Sequence, residues 1–152
     1  MRLADNQYLL YLQCFTGAYQ PGGVYFLFST VTGIQTQPLR LTKLSGYESN
    51  SPKEVPITDR DSPAIAGYHQ FNPAKRELIL LHRCDGQWRC FSQSRYTLIK
   101  DQMVLQEYVI GSRNLDTKDK RYRTYQLIRD GDRWISSGIM LCEQRELASC
   151  SK

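Results

Sequence analysis

The chain has 152 residues, 41% of them hydrophobic and 23% charged, which is enough for one folded domain and too apolar for a disordered chain. Its formal charge of +5 is modest and does not by itself indicate a nucleic-acid-binding protein. The longest apolar run, Val24–Phe28, is far shorter than the ~20 residues of a membrane-spanning helix, and the first residues lack the apolar core of a signal peptide. Because tyrosine and phenylalanine far outnumber methionine, we expect a single domain, 1–152, built mainly from β-strands.

Strand-like runs separated by turn residues begin near the start of the chain. In the first half we expect strands at Gln7–Cys14, Val24–Thr30 and Ile34–Leu41. Residues 45–63 contain three prolines and many polar residues, which predicts the longest loop, with at most a short strand at Val55–Thr58. A short helix is the alternative at either end of the chain, in Met1–Leu12 or in Cys142–Cys150.

The second half alternates more regularly between strands and turns. The expected strands are Ile65–Phe71, Leu78–Leu81, Phe91–Ile99, Met103–Ile110, Tyr122–Ile128 and Trp134–Leu141. Leu78–Leu81 is apolar on both faces, which predicts a central, fully covered strand, and Asp130–Gly131 predicts a tight turn within an extra C-terminal hairpin, 121–141. No segment keeps a helical period, so we expect an all-β antiparallel meander of eight to ten strands that forms a barrel or a sandwich.

The cysteines bear on where the protein resides. There are five of them, at Cys14, Cys84, Cys90, Cys142 and Cys150. Since disulfides persist mainly in exported proteins, we expect a periplasmic or secreted protein whose leader has been removed, with a cytoplasmic protein as the alternative. A two-residue turn at Asp85–Gly86 would exclude a Cys84–Cys90 bond, whereas a five-residue loop would permit it and present Gln87 and Trp88 on a rigid tip. The sequence leaves both geometries open.

Several short segments resemble a known family. They are Cys14–Gln20, Pro38–Thr42, Ile65–Pro73, Cys90 with Tyr96, and Leu105–Tyr108. Over about residues 8–110 the chain resembles the exported bacterial proteins of domain-of-unknown-function family 1176, especially their cyanobacterial branch. It departs from them in the approach to Cys90 and in the tail after Ile110. The resemblance implies an exported β-domain in which Cys14 is bonded to Cys90, and it carries no established chemistry.

No catalytic or cofactor motif stands out in the sequence. There is no Gly-x-Ser-x-Gly elbow and no phosphate-binding glycine loop, and the two histidines, His69 and His82, lie in or beside predicted strands. A zinc site built from His82, Cys84, Cys90 and Cys142 would lack the usual ligand spacing. Asp59 and Asp61 match no calcium-binding loop. We therefore expect no enzyme activity, no metal and no cofactor.

The leading functional prediction is a non-enzymatic binding module with a protein or glycan partner at the cell envelope, and an inhibitor of a hydrolase is one concrete form. Trp88 and Arg89, with Gln87 beside them, are the expected contact residues, because tryptophan and arginine are common hot spots.

The alternative is a cytoplasmic protein that binds nucleic acid or another anion through the basic segment 113–133. There Arg121, Arg123 and Tyr125 would share one strand face. Interleaved aspartates weaken this segment as a phosphate track, so nucleic acid is not the expected partner.

Overall fold

The computed structural model describes residues 1–18, 20–34, 37–45, 58–113, 121–130 and 133–142. This part of the chain holds thirteen β-strands and no helix. The strands are β1 (Arg2–Ala4), β2 (Gln7–Thr16), β3 (Pro21–Ser29), β4 (Gly33–Ile34), β5 (Leu41–Ser45), β6 (Thr58–Ser62), β7 (Ala64–Ala66), β8 (Tyr68–Asn72), β9 (Glu77–Arg83), β10 (Cys90–Ile99), β11 (Gln102–Ser112), β12 (Tyr122–Asp130) and β13 (Arg133–Cys142). The all-β prediction is confirmed, and short strands raise the number above the expected eight to ten.

The strands form two sheets, which is the arrangement of a sandwich rather than of a closed barrel. The smaller sheet has the order β1-β2-β3-β4, and β7 also pairs with β3. The larger sheet has the order β13-β12-β11-β10-β9-β8, with β5 attached to β11 and β6 to β5. All pairings are antiparallel except the contact of β5 with β11, where Leu41 lies beside Met103.

The main core lies between the two sheets and follows the alternation of side chains along each strand. The smaller sheet contributes Leu9, Tyr25 and Leu27, and the larger sheet contributes Leu78, Leu80, Tyr96, Leu98 and Leu105. The strand β9 lies between β8 and β10, so the central position predicted for Leu78–Leu81 is confirmed.

A bulge in β11 lets the larger sheet support a second, smaller core on its opposite face. The register of β11 on β10 shifts between Arg95 and Tyr96, which leaves Gln106 as an extra residue. On one side of this bulge Leu105 packs in the main core, and on the other side Val109 packs in the second cluster. The second cluster is the base of the candidate site described below.

Gly67 is the corner at which the chain passes from the smaller sheet to the larger one. The strand β7 pairs with β3, whereas Tyr68 begins β8 against β9. Gly67 has φ +146°, and a Cβ there would lie 2.9 Å from the carbonyl oxygen of Leu81. The single strand expected at Ile65–Phe71 is therefore wrong, because the close approach of β9 requires a glycine bend in its middle.

Two further expectations for the first half are also wrong. A helix in Met1–Leu12 is replaced by β1 and β2, whose residues pair with each other and with β3. The strand expected at Ile34–Leu41 is not formed, because β4 ends at Ile34 and β5 begins only at Leu41. Residues 35–36 lie outside the described part.

The long loop expected at 45–63 is shortened by β6, which pairs antiparallel with β5. The strand suggested at Val55–Thr58 lies outside the described residues except for Thr58, where β6 begins. The C-terminal hairpin is formed, but its two-residue connection is 131–132, one residue later than the predicted Asp130–Gly131, because Asp130 pairs with Arg133. The helix suggested for Cys142–Cys150 lies outside the described residues apart from Cys142, which ends β13.

Candidate functional site

The second cluster lies at one end of the larger sheet, on the face turned away from the main core. Its buried members are Phe91, Val109 and Tyr122, and the half-buried Leu81 and Trp88 pack against them. The rings of Phe91 and Tyr122 meet edge to face, with their centroids 5.1 Å apart. Trp88 belongs to the connection between β9 and β10, so this connection is packed onto the sheet.

A disulfide closes that connection. Cys84 and Cys90 are bonded, with their Cα atoms 5.5 Å apart, and the backbone N–H of Cys84 donates to the carbonyl oxygen of Cys90. The last paired residues before the loop are Arg83 and Phe91. The turn is therefore the wider, five-residue loop and not the two-residue turn, which were the two geometries that the sequence left open. We call residues 84–90 the closed loop.

The pairing of Cys14 with Cys90, which the family resemblance implied, is wrong. Cys90 is bonded to Cys84, six positions away in the chain, and Cys14 is a free, exposed thiol on β2. The two strands that flank the closed loop end side by side, which brings Cys84 and Cys90 within bonding distance. Cys14 lies in the other sheet.

Inside the closed loop, Asp85 organises the backbone. Its Oδ1 accepts hydrogen bonds from the backbone N–H groups of Gln87, at 3.1 Å, and Arg89, at 3.0 Å, and its carboxylate forms an ion pair with the Arg89 side chain. The hydrogen bonds from Arg89 lower the pKa of Asp85 below its ordinary value. These contacts accompany a left-handed backbone at Trp88, φ +57°, which non-glycine residues adopt rarely.

Arg113, directly after β11, and Tyr122, the first residue of β12, hold the closed loop from outside. Arg113 donates from Nε to the carbonyl oxygen of Trp88 and from Nη2 to that of Gln87, both at 3.1 Å. Tyr122 donates from its hydroxyl to the same Trp88 oxygen at 2.6 Å, and burial raises its pKa. The Arg113 guanidinium also lies 5.0 Å from the centre of the Tyr122 ring. The closed loop is therefore fixed by a covalent bond, an internal carboxylate and this external clamp.

A cation stacked between two rings extends the site from the closed loop to β8. The Arg83 guanidinium lies 4.9 Å from the centre of the Tyr68 ring and 4.8 Å from that of Trp88, and it donates to the Tyr68 hydroxyl. Tyr68 is 44% exposed. We call Tyr68, Arg83, Gln87, Trp88 and Arg89 together the loop surface.

The three predicted contact residues differ in their exposure to solvent. Gln87 and Arg89 are exposed, as expected for residues at a loop tip. Trp88 is half-buried between Arg83 and the second cluster, so it anchors the loop more than it presents a ring to solvent. Sequence reasoning missed Tyr68 and Arg83, which come to this surface only through the pairing of β8 with β9.

The residues predicted for the alternative basic site lie on β12 or directly before it. Arg121 is exposed, whereas Arg123 and Tyr125 alternate along β12 with three buried residues, Tyr122, Thr124 and Gln126. Residues 114–120 and 131–132 of the basic segment 113–133 lie outside the described part.

A buried ion pair lies next to the second cluster, on neighbouring positions of β10 and β11. Glu107 is 1% exposed, forms an ion pair with Arg95, and accepts a hydrogen bond from Nε2 of Gln126. Arg95 lies directly opposite Glu107, and Gln126 lies opposite Val109, two positions further along β11, so the network ties the three strands together laterally. Since both carboxylate contacts are made within the sheet, we assign this network a structural role.

The two histidines lie away from the loop surface. His69 packs its ring 4.3 Å from that of Tyr11 and 6.0 Å from that of Tyr25, and burial lowers its pKa. His82 lines a cavity of about 210 Å³ with Ser92, Ser94, Tyr96, Tyr108 and three apolar residues, a set that includes no carboxylate. Among the described residues no three His, Cys, Asp or Glu side chains are grouped to hold a metal ion.

Within the described residues no helix is long and apolar enough to cross a membrane. No family model, no curated protein and no solved structure matches the chain. The resemblance to domain-of-unknown-function family 1176 therefore stays a prediction.

Proposed function

We propose that this protein is a non-enzymatic, exported binding module that engages a protein partner through the loop surface. The observation that carries the proposal is the rigidity of the closed loop, in which the Cys84–Cys90 bond, Asp85 and the Arg113–Tyr122 clamp all hold one backbone conformation. A loop that is already ordered loses little conformational freedom on binding, so more of the contact energy appears as affinity.

A protein partner is favoured over a glycan by the way the rings are arranged. Sugars bind best to exposed ring faces, but the Trp88 ring is covered by the Arg83 guanidinium and packs on the second cluster. Among the rings of the loop surface, that of Tyr68 is the one with substantial exposure. Gln87 is exposed, and the Arg89 side chain is 60% exposed, so both can contact a partner. Together with the net charge of +5, they suit a partner with an acidic contact surface.

The proposed location is the periplasm or the outside of the cell, at the envelope. A disulfide is compatible with an oxidising compartment, and disulfides are rare in cytosolic proteins. A rigid loop with an arginine at its tip also fits a cleft, so an inhibitor of an exported hydrolase is one concrete form of the proposal.

The test compares two double variants of the full chain. Gln87→Ala with Arg89→Ala removes the exposed side chains of the closed loop. Lys75→Ala with Gln102→Ala removes an exposed basic side chain in the turn between β8 and β9 and an exposed amide side chain at the start of β11, both at the opposite end of the larger sheet. Both variants should keep the thermal unfolding midpoint of the wild type, because none of the four side chains is buried.

Each protein is immobilised and exposed to the exported protein fraction of the same source. The proposal predicts partners that the wild type and the control variant capture and the loop variant loses at least tenfold. Equal capture by all three would overturn it. If the protein instead binds purified envelope glycans, and if Tyr68→Ala abolishes that binding, the partner is a glycan and not a protein.

Nucleic acid binding is less supported by the geometry. Arg113, the first residue of the basic segment, already contacts two carbonyl groups and the Tyr122 ring. Affinity for a DNA or RNA oligonucleotide that falls steeply with salt, and is unchanged in the loop variant, would favour this alternative.

A further inference from the structure

A cavity of about 210 Å³ borders the main core between the two sheets. Ile65 and Ala66 of β7 line it from the smaller sheet, and residues of β9, β10 and β11 line it from the larger sheet. Successive residues of a strand point to opposite faces of the sheet. His82 lines this cavity, whereas Arg83, the next residue of β9, belongs to the loop surface. The cavity is therefore a separate site on the other face of the larger sheet.

Two serines on β10 make room for this cavity. Ser94 lies opposite Leu80, which packs in the main core, so Ser94 occupies a core-facing position. The next residue of β10 on the same face is the buried Tyr96, and the one before Ser94 on that face is Ser92, which lies opposite His82. At positions where the alternation of the strand calls for large apolar side chains, the sequence thus supplies two small hydroxyl groups.

The cavity is apolar at its inner end and polar at its mouth. Ile65, Leu80 and Tyr96 are 5%, 4% and 1% exposed, so they form the inner end. His82 is exposed and Ser92 is half-buried, so they lie at the mouth. A molecule that enters the cavity would therefore bury its apolar part first and keep its polar part toward the mouth.

Hydroxyl groups supply most of the polar lining. Ser94 lies directly opposite Tyr108 on β11. Burial raises the pKa of Tyr108, and a hydrogen bond with the Ser92 side chain offsets part of that rise. Because a hydroxyl has one proton to donate and two lone pairs to accept, these side chains keep capacity for a further hydrogen bond. Among the described residues that line the cavity there is no Asp, Glu, Lys or Arg.

We propose that this cavity binds a small neutral molecule that consists of one aromatic ring with a hydroxyl group. An apolar cavity of about 150 Å³ can hold benzene, so a cavity of about 210 Å³ has room for one ring with a small substituent. The ring would pack against Leu80 and Tyr96 at the inner end. Its hydroxyl would exchange hydrogen bonds with Ser92, Ser94 or Tyr108 nearer the mouth.

Other classes of ligand fit this lining less well. A monosaccharide carries hydroxyl groups all round its ring, and those that face Ile65, Ala66 and Leu80 would lose their hydrogen bonds to water without replacement. A hydrocarbon ring would take water away from the serine hydroxyls and give them no partner in return. A charged ligand would meet no carboxylate, lysine or arginine among the described lining residues.

The test titrates the isotopically labelled full chain with phenol and, separately, with toluene, and follows the backbone amides by NMR. The two probes share one ring and nearly one size, and differ in a hydroxyl group against a methyl group. We expect phenol to bind with a Kd of about 1 mM or lower and to shift the amides of Ala66, His82 and Ser92. Toluene should bind at least tenfold more weakly, because it leaves the lining hydroxyls without partners.

Variants of β10 locate the binding. Ser94→Leu fills the cavity and should abolish phenol binding. Thr97→Leu is the matched control, since Thr97 is also half-buried on β10 but points to the opposite face, and it should bind phenol like the wild type. Ser92→Ala removes one hydroxyl without filling the cavity, so it should weaken phenol binding about fivefold and leave toluene binding unchanged.

Toluene that binds as tightly as phenol would overturn the proposal, because the cavity would then be a simple apolar void. Phenol binding that survives Ser94→Leu would also overturn it, since the phenol would then bind elsewhere. So would the absence of amide shifts at every phenol concentration that leaves the protein folded. Should Ser94→Leu fail to fold, Ser92→Ala decides the matter, because an unchanged phenol affinity in that variant contradicts the proposed hydrogen bonds.

Discussion

Replacing Cys84 and Cys90 by alanine should destabilise the protein by an amount set by the length of the closed loop. Six positions separate the two cysteines. For a loop of this length the chain-entropy treatment gives about 7 cal/mol/K, or about 2 kcal/mol at 25 °C. The contacts of Asp85, Arg113 and Tyr122 do not involve the sulfur atoms, so we expect them to persist. The variant should therefore be less stable but should keep the loop conformation.

Urea unfolding, followed by tryptophan fluorescence, measures the first part of this prediction. A loss of about 2 kcal/mol corresponds to a midpoint lower by about 1 M, with an unchanged slope. Hydrogen exchange measures the second part, because the backbone amides of Gln87 and Arg89 should stay protected by Asp85. Cys14→Ala is the control and should change stability by less than about 0.5 kcal/mol, because this cysteine is exposed and unbonded. An unchanged midpoint, or loss of protection at both amides, would refute the reasoning.

Three further predictions concern single side chains. Tyr122→Phe removes the hydrogen bond to the Trp88 carbonyl and should lower the free energy of unfolding by about 1 kcal/mol in chemical denaturation, whereas no loss would mean that the clamp is dispensable. Gly67→Ala places a methyl group against a backbone carbonyl at φ +146° and should cost about 1–3 kcal/mol, and a neutral result would contradict the corner described for this residue. Burial lowers the pKa of His69, so the unfolded state binds its proton first, and stability should fall as the pH drops below the ordinary value of 6.5 and level off below the folded-state pKa. Thermal unfolding between pH 8 and pH 5 should show this loss in the wild type and in the control His82→Gln, and His69→Gln should lack it.

Sequence patterns predicted those strands in which successive side chains pack on alternate faces of the sheet. The run Leu78–Leu81 is apolar at every position, and the structure gives the reason: Leu80 packs in the main core and Leu81 against the second cluster on the other face. The run Ile65–Phe71 shows the limit of the method. It contains no proline and no charge, and the break at Gly67 is set by the approach of a strand more than ten residues later in the chain.

Only those residues of the candidate site that lie close together in the sequence could be predicted. Gln87 and Arg89 are exposed because turn residues surround them, and this is visible in the sequence. Arg83 and Tyr68 meet through the register of two strands, and a shift of one residue would send them to the other face. The Cys14–Cys90 pairing failed for the same reason, since only the register of β9 on β10 shows how wide the closed loop is.

The central claim is that the loop closed by a disulfide between Cys84 and Cys90 is part of the surface that binds a partner. Trypsin digestion of the non-reduced protein, followed by mass spectrometry, tests this bond directly, because cleavage after Arg83, Arg89 and Arg95 separates the two cysteines into different peptides. The account predicts peptide 84–89 linked to peptide 90–95, and their separation after reduction. Peptide 3–40, which carries the thiol of the smaller sheet, linked to 90–95 would contradict it, because the closed loop would then be open.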